Sequence, residues 1–511
     1  MSITVVRKNT YYDSVSLMSV STRANQLDGV HQAFVAMATE MNKEVLRNLG
    51  LLTAELDAAG GGDLMIVLDT ADGVDDDATL VAVDELFTAK KRASGQTESY
   101  RTIDAAARNR PGANLAVIAV AGTFAAREAR KALENDLHAM VFSDNVSIED
   151  EVALKTLAHD KGLLMMGPDC GTAIIDNVAL CFGNAVRPGT IGIVAASGTG
   201  SQEVSVRVHA LGGGVSQLIG TGGRDLSEQV GGVMMIDGLR ALAKDAGTDV
   251  IVLISKPPAP SVEQKVLAEI AGAGKPVVVC FIGGSQDAVV AAGGTFAANT
   301  DEASRAAVRL AGIDVPDETP EPVDVEAIRA KLTPEQRYIR GLFCGGTLCD
   351  EAMYAALEVF PDVYSNIQKD PERKLDASSR SVAHTFLDFG DDDFTNGRPH
   401  PMIDPTLRIA RLLEEAKDPE VGVIVMDFIL GFGSHEDPVG VLLPAIAEAK
   451  ELAAADGRHL EIVGYVLGTD RDRPELGAQL ENLRSAGVTV AASSASTGRL
   501  ARAIVRKGDD A

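Results

Sequence analysis

Residues 193–204 read IVAASGTGSQEV, and residues 341–352 read GLFCGGTLCDEA. In each, an apolar run stops at a cluster of small residues and a helix-like stretch begins. A strand feeding a helix through a tight turn is the building unit of a parallel α/β sheet. At such a helix start the first backbone N–H groups lack intrahelical partners, point together and carry a partial positive charge. Small residues let an anion approach them closely. Ser197, Gly198, Thr199 and Gly200 supply this at the first junction, and Cys344, Gly345, Gly346 and Thr347 at the second. No Lys follows the glycines as in a Walker loop, and neither junction reads GxGxxG. A turn that needs glycine only for its geometry is the alternative reading of either junction alone. Two junctions in matching surroundings favour a pair of phosphate-binding sites.

Working outward, the surroundings do match. IGIVAA (191–196), DVIVLISKPP (249–258) and KPVVVCFIGG (275–284) are apolar strands between helix patterns, and RGLFCGG (340–346), VGVIVMDFILGFG (421–433) and LEIVGYVLG (460–468) repeat the rhythm. RALAKDAGTDVIVLISKPP (240–258) echoes RLLEEAKDPEVGVIVMDFI (411–429). Two similar units in one chain point to a structural repeat. Between them DVPDETPEPVD (314–324) breaks the pattern with prolines and acids and reads as a linker. Upstream, DLMIVLDT (63–70), NLAVIAVAG (114–122) and LLMMG (163–167) alternate with helix patterns and predict further parallel sheet. The expected organisation is an N-terminal α/β region (1–100), a Rossmann-like region (101–187), a flavodoxin-like domain (188–313), a linker (314–335) and a second flavodoxin-like domain (336–511).

Composition agrees with an α/β class. The 511 residues include 50 Gly and no Trp, and 46% are hydrophobic, as suits tight strand–helix turns. With 47 Lys and Arg against 73 Asp and Glu, the net charge is −26, which disfavours nucleic acid and anionic membranes as partners. No apolar run reaches the roughly 18 residues of a membrane span, and no signal-peptide pattern opens the chain, so a cytoplasmic location is expected. The five cysteines form no CxxC pair, so neither structural zinc nor a disulfide framework is expected. Cys170 and Cys344 lie near the junctions as candidate nucleophiles, with small-residue packing favoured.

In an open parallel sheet, ligands sit beyond the carboxyl ends of the strands. Lys256 and Arg224 stand there and suit a phosphate or carboxylate. His435 and His400 are placed to move a proton near neutral pH. Asp391, Asp392 and Asp393 suit Mg²⁺ or the orientation of a histidine, or form a solvated acidic loop.

Longer motifs carry a family likeness. GPDCGTAI (167–174) followed by GTIGIVAASGTGSQEV (189–204) resembles the α subunit of succinyl-CoA synthetase. RGLFCGGTLCDEA (340–352), FLDFGDDD (386–393) and VIVMDFILGFG (423–433) resemble the carboxyl-terminal ligase domain of its β subunit. KNTYYDSVSLMSVSTRANQL (8–27), DFGDDDFTNGRPHPMIDP (388–405) and LGFGSHEDP (430–438) are more specific, and resemble the FdrA family and its YahF-type members.

In the synthetase, two helix starts, one from each ligase domain, bind the phosphate of a phosphohistidine. The resemblance carries those roles onto Ser197–Gly200 and Cys344–Thr347. The stretch matching the histidine turn, VVAAGGTFAANT (289–300), has no His, which argues against a phosphohistidine relay. The ATP-grasp domain has no counterpart. Residues 1–30 hold a single glycine, Gly29, which counts against the glycine-rich CoA loop and so against CoA. FdrA-family proteins act with companion subunits as an oxamate carbamoyltransferase in allantoin and purine-nitrogen catabolism. The resemblance therefore implies a subunit that binds phosphate or carbamoyl phosphate with a small acid or amide, in a homo- or hetero-oligomer. Lys256 and His435 are its candidate catalytic residues. An acid–CoA ligase and a non-catalytic assembly subunit are the alternatives.

Overall fold

The computed structural model describes residues 51–71, 73–93, 98–315, 323–395 and 399–506, and residues 2–50 in part. The expected linker 314–324 falls mostly on residues 316–322, outside the described residues. The chain divides into two compact units, one holding residues 1–109 and the other beginning at Arg110.

The first unit contains strands β1 (Ser2–Arg7), β2 (Val30–Met37) and β3 (Leu64–Thr70) in the order β1-β3-β2. Both pairings are antiparallel, which corrects the expectation of parallel sheet in this region. Central β3 places Leu64, Ile66 and Leu68 in one hydrophobic cluster and Met65 and Val67 in another. Burial of both faces gives a continuous apolar run whichever way the neighbours point, so the pattern reports burial and not direction.

The second unit opens with a three-stranded parallel sheet, β4 (Leu115–Ile118), β5 (His138–Val141) and β6 (Met165–Met166). A seven-stranded sheet follows: β7 (Thr172–Ile175), β8 (Val178–Cys181), β9 (Pro188–Ala195), β10 (Val215–Gly220), β11 (Val250–Ser255), β12 (Val277–Phe281) and β13 (Thr295–Phe296), in the order β13-β12-β11-β9-β10-β7-β8. The β7–β8 hairpin joins β10 antiparallel through Leu218 and Ile174, so residues before 188 complete the edge of this sheet.

The last sheet is wholly parallel. It contains β14 (Tyr338–Phe343), β15 (Val363–Ser365), β16 (His384–Asp388), β17 (Val421–Ile429), β18 (Glu461–Leu467) and β19 (Thr489–Val490), ordered β15-β16-β14-β17-β18-β19. Setting aside β15 and the hairpin, both sheets have the same order: β13-β12-β11-β9-β10 corresponds to β19-β18-β17-β14-β16. The echoed stretches are β11 and β17, equivalent strands of a duplicated flavodoxin-like lobe.

Each lobe buries both sheet faces. In β11, Ile251 and Leu253 face one core while Val250, Val252 and Ile254 face another. The chain order reverses at β9 and at β14, and the crevice beyond such a strand is where open α/β sheets take ligands. The helices leaving those two strands, Gly198–Ala210 and Gly346–Leu357, are the first and second junction helices. The first is buried from Gly200 to His209, because it packs on its own sheet and against the second lobe.

Candidate functional site

The two helix starts meet. Ser197 is the N-cap of the first junction helix, extended at φ −149°, and its hydroxyl accepts the Gly200 N–H at 3.0 Å. The same Ser197 oxygen touches the Thr347 hydroxyl of the second junction helix. The Thr347 N–H in turn points at Thr199 Oγ1, 3.4 Å away. Glycine permits this approach: a Cβ on Gly200 would stand 3.0 Å from Thr347 Cγ2, and one on Gly345 3.2 Å from Thr199 Cβ. Gly198 is different, because a Cβ there meets nothing within 4 Å. Its side of the junction is open.

The two starts are not chemically alike. The N-cap of the second is Gly345, so Cys344 precedes the helix start. Asp427, fully buried in β17, accepts the Cys344 and Gly345 N–H groups at 2.8 Å each, and Arg408 Nη2 lies 3.0 Å from the same carboxylate. Those two amides are therefore occupied by the protein itself. The Thr347 N–H is taken up by Thr199 Oγ1, which leaves the Gly346 N–H of this start without a partner among the described residues. Burial, followed by Asp427, pushes the Cys344 thiol well up. Burial does the same to Cys170, so neither is an activated nucleophile.

Beside the second helix start lies Lys256, just past β11 of the other lobe. A Cβ on Gly346 would stand 2.9 Å from Lys256 Nζ and 2.4 Å from Asp388 Oδ2. Lys256 Nζ is 3.7 Å from Asp388 Oδ2 and 4.0 Å from Asp350 Oδ2, beyond hydrogen-bond range of both. Its side chain keeps 40% of its surface open to solvent. Burial would lower the ammonium, but Asp350, Asp388 and Asp391 outweigh it and hold it above its ordinary value. Desolvation pushes Asp388 up to about 6 against the pull of Lys256. Asp169 is reached by solvent, yet desolvation first, then Asp392 and Asp144, pushes it to about 7. Lys256 and Asp388 thus act on each other and both act on Asp169, so the three form one charge cluster.

The other expected residues divide. Asp391 joins this charge cluster, since its charge acts on Asp388 and that of Lys256 acts on it. Arg224 is held by Glu151 at 2.9 Å and by the Val146 carbonyl at 2.8 Å, with its charge also acting on Asp392. His400 does not fit a proton carrier near neutral pH: burial, then Arg408, lowers it to about 4. His435 lines a separate cavity of about 10 Å³ with Cys344 and Arg408, and its Nδ1 accepts the Asp437 N–H at 3.0 Å; neither Glu436 nor Asp437 bonds the ring through its carboxylate. Among the described residues no three His, Cys, Asp or Glu side chains are grouped to hold a metal.

Asp350 and Asp427 were missed from sequence, and Asp388, at the head of the strand-end run DFGDDD, was given no role. A signal existed for Asp427, since one acid inside the buried run VGVIVMDFI must have partners waiting for it.

Comparisons with known proteins fit this geometry. Family models match a CoA-binding domain over residues 186–284 and a CoA-ligase over 342–504, each spanning one junction. The uncharacterized protein YahF of Escherichia coli (strain K12) is 62% identical over 510 residues, covering 99% of both chains. The chain belongs to the FdrA/YahF family. It is thus a succinyl-CoA synthetase-like protein, and the coarse expectation of that scaffold holds. Outside the family, the α subunit of ADP-forming succinate–CoA ligase from Staphylococcus epidermidis is 29% identical over 189 residues, which are 36% of this chain and 61% of that subunit. Among solved structures, the dinucleotide-forming acetyl-coenzyme A synthetase 1 of Ca. Korarchaeum cryptofilum aligns over 80% of this chain and 86% of its own, with 18% identity and a TM-score of 0.32.

A third family model, described as an AllF heavy metal-associated domain, matches residues 1–102. That stretch has no cysteine and a single histidine, His31, so the thiolates that select soft metals are missing and the residues do not fit such a site. No described helix is long and apolar enough to cross a membrane.

Proposed function

We propose that this chain transfers a carbamoyl or other acyl group between its phosphate anhydride and a small acceptor, with the phosphate held at the paired helix starts. One observation carries the reading: the Ser197–Thr347 contact brings two amide-lined helix starts together with Lys256 alongside. In this reading the N–H groups of Gly198, Thr199 and Gly346, with the Lys256 ammonium beside Gly346, are the donors to the phosphate. Such donors stabilise charge that grows on a departing phosphate oxygen. An anhydride that arrives already activated requires neither an ATP site nor a phosphohistidine.

The family matches favour a second reading, an acid–CoA ligase. Thermal shift separates the two, since any ligand that binds only the folded state raises the melting temperature. The first reading expects stabilisation by inorganic phosphate and carbamoyl phosphate and none by CoA. Gly198→Val should abolish the phosphate shift without lowering the unliganded melting temperature, because its side chain enters open space. Stabilisation by CoA alone would decide for the ligase.

A further inference from the structure

Four carboxylates surround the second helix start, and they are not equivalent. Asp427 is committed to the Cys344 and Gly345 amides and to Arg408. Asp350 Oδ2 is sealed from solvent and accepts no hydrogen bond, so it acts as a buried counter-charge to Lys256. Asp391 turns one oxygen back onto the Asp393 N–H at 3.2 Å. Asp388 is fixed at the end of β16 by the Asn366 side chain, whose Oδ1 accepts the Asp388 N–H at 2.9 Å and whose Nδ2 donates to the Asp388 carbonyl at 3.0 Å, and the Asp388 Oδ1 accepts the Gly390 N–H at 2.9 Å. That leaves Oδ2 lying over Gly346 and 3.7 Å from Lys256.

We infer that Asp388 is the general base of the transfer, taking the proton from an N–H or S–H acceptor as it attacks the carbonyl carbon of the bound acyl or carbamoyl phosphate. This rests on the reading proposed above. The acceptor atom bonds to the carbonyl carbon, and the bond from that carbon to the bridging oxygen breaks. Its electron pair leaves with the phosphate, held by the helix starts and Lys256. The acceptor's proton passes to Asp388 Oδ2 and then to solvent. A carboxyl titrating near 6 is a carboxylate at pH 7.5 and still basic enough to accept a proton. The groups acting on it are Lys256, Asp391, Asp350, Asp169 and, across Gly390, the neutral His400 ring.

Asp388→Asn keeps an oxygen for the Gly390 N–H and removes the base. The test measures phosphate binding by calorimetry at pH 7.5, and phosphate release from carbamoyl phosphate between pH 5 and 8 with semicarbazide, which stays uncharged over that range, as the probe nucleophile. The variant should bind inorganic phosphate at least as tightly as wild type, release phosphate about 100-fold more slowly, and lose the rise in rate near pH 6. If wild type binds phosphate and the variant keeps the wild-type rate or that rise, the base assignment falls while the phosphate site stands. If wild type binds phosphate but releases none from carbamoyl phosphate, the assignment also falls. If wild type binds no phosphate, the underlying reading falls first.

Discussion

Glu203 accepts the backbone N–H of Ser494 at 3.2 Å, so a side chain of one lobe caps the last helix of the other. The reverse contact exists too: Glu351 accepts the Thr300 N–H at 2.7 Å, and Thr300 opens the last helix of the first lobe. Glu203 and Glu351 hold the same place in their junction helices, and Ser494 and Thr300 the same place in theirs. The duplicated lobes are thus joined by a reciprocal pair of caps, each a Glu side chain accepting the first N–H of the other lobe's last helix. The Tyr465 hydroxyl adds a 2.7 Å bond to Glu203. This is what holds the two helix starts of the site against each other.

The Glu203 cap makes lobe docking sensitive to pH. Burial and then Glu351 push Glu203 up to about 7, against an ordinary value of 4.5. The folded state then binds more protons than the unfolded state between those values, so stability falls as pH rises from about 4.5 through 7. Burial raises Glu351 as well, and it adds to the same trend. Glu203→Gln removes the charge; its Oε1 can still accept the Ser494 N–H while its amide N–H donates to the Tyr465 hydroxyl oxygen. The difference in unfolding free energy between pH 5 and pH 8, read from urea midpoints, should shrink by up to about 3 kcal/mol. An unchanged difference would show that Glu203 does not titrate on folding.

Asp427→Ala strands the Arg408 guanidinium and two backbone N–H groups in the core. Breaking one partner of a buried pair costs about 3–5 kcal/mol. A urea midpoint that hardly moves would mean that water replaces the carboxylate, and that the second junction is wetter than its burial indicates.

Much of this was legible in sequence. The apolar runs of β9, β11, β14 and β17 announced a repeated parallel sheet, and the small residues after β9 and β14 marked the helix starts. Lys256 could be placed because it follows a strand directly. Asp388 stands at the same strand end as Asp391–Asp393, but its role could not be read, because its place next to the other lobe's lysine depends on how two sheets dock. The Glu203–Ser494 contact joins residues far apart in the chain, and no local pattern encodes it. The antiparallel order of β1, β3 and β2 was hidden because burial alone shaped their composition.

Glycine positions give a controlled contrast. Gly498, in the last helix of the second lobe, packs against the second junction helix so closely that a Cβ would stand 2.6 Å from the Cα and carbonyl oxygen of Ala352. Backbone cannot move aside as a side-chain tip can, so Gly498→Ala should cost about 1–3 kcal/mol. Gly198→Val should change stability by less than about 0.5 kcal/mol. Equal losses in chemical denaturation would contradict the packing described.

Lys256→Met tests charge balance and ligand binding together. Methionine retains the stem and removes the cation that Asp350 and Asp388 share. Both carboxyls are already raised by burial, and the loss of Lys256 raises them further. Above their folded pKa each must then ionise without a counter-charge, so the variant should lose stability relative to wild type as pH rises from 6 toward 8 and approach it near pH 5. Inorganic phosphate should bind about tenfold more weakly, since a charge-assisted contact is lost at the helix starts. A variant with the pH profile altered but phosphate affinity intact would place Lys256 in the scaffold and remove it from the anion site.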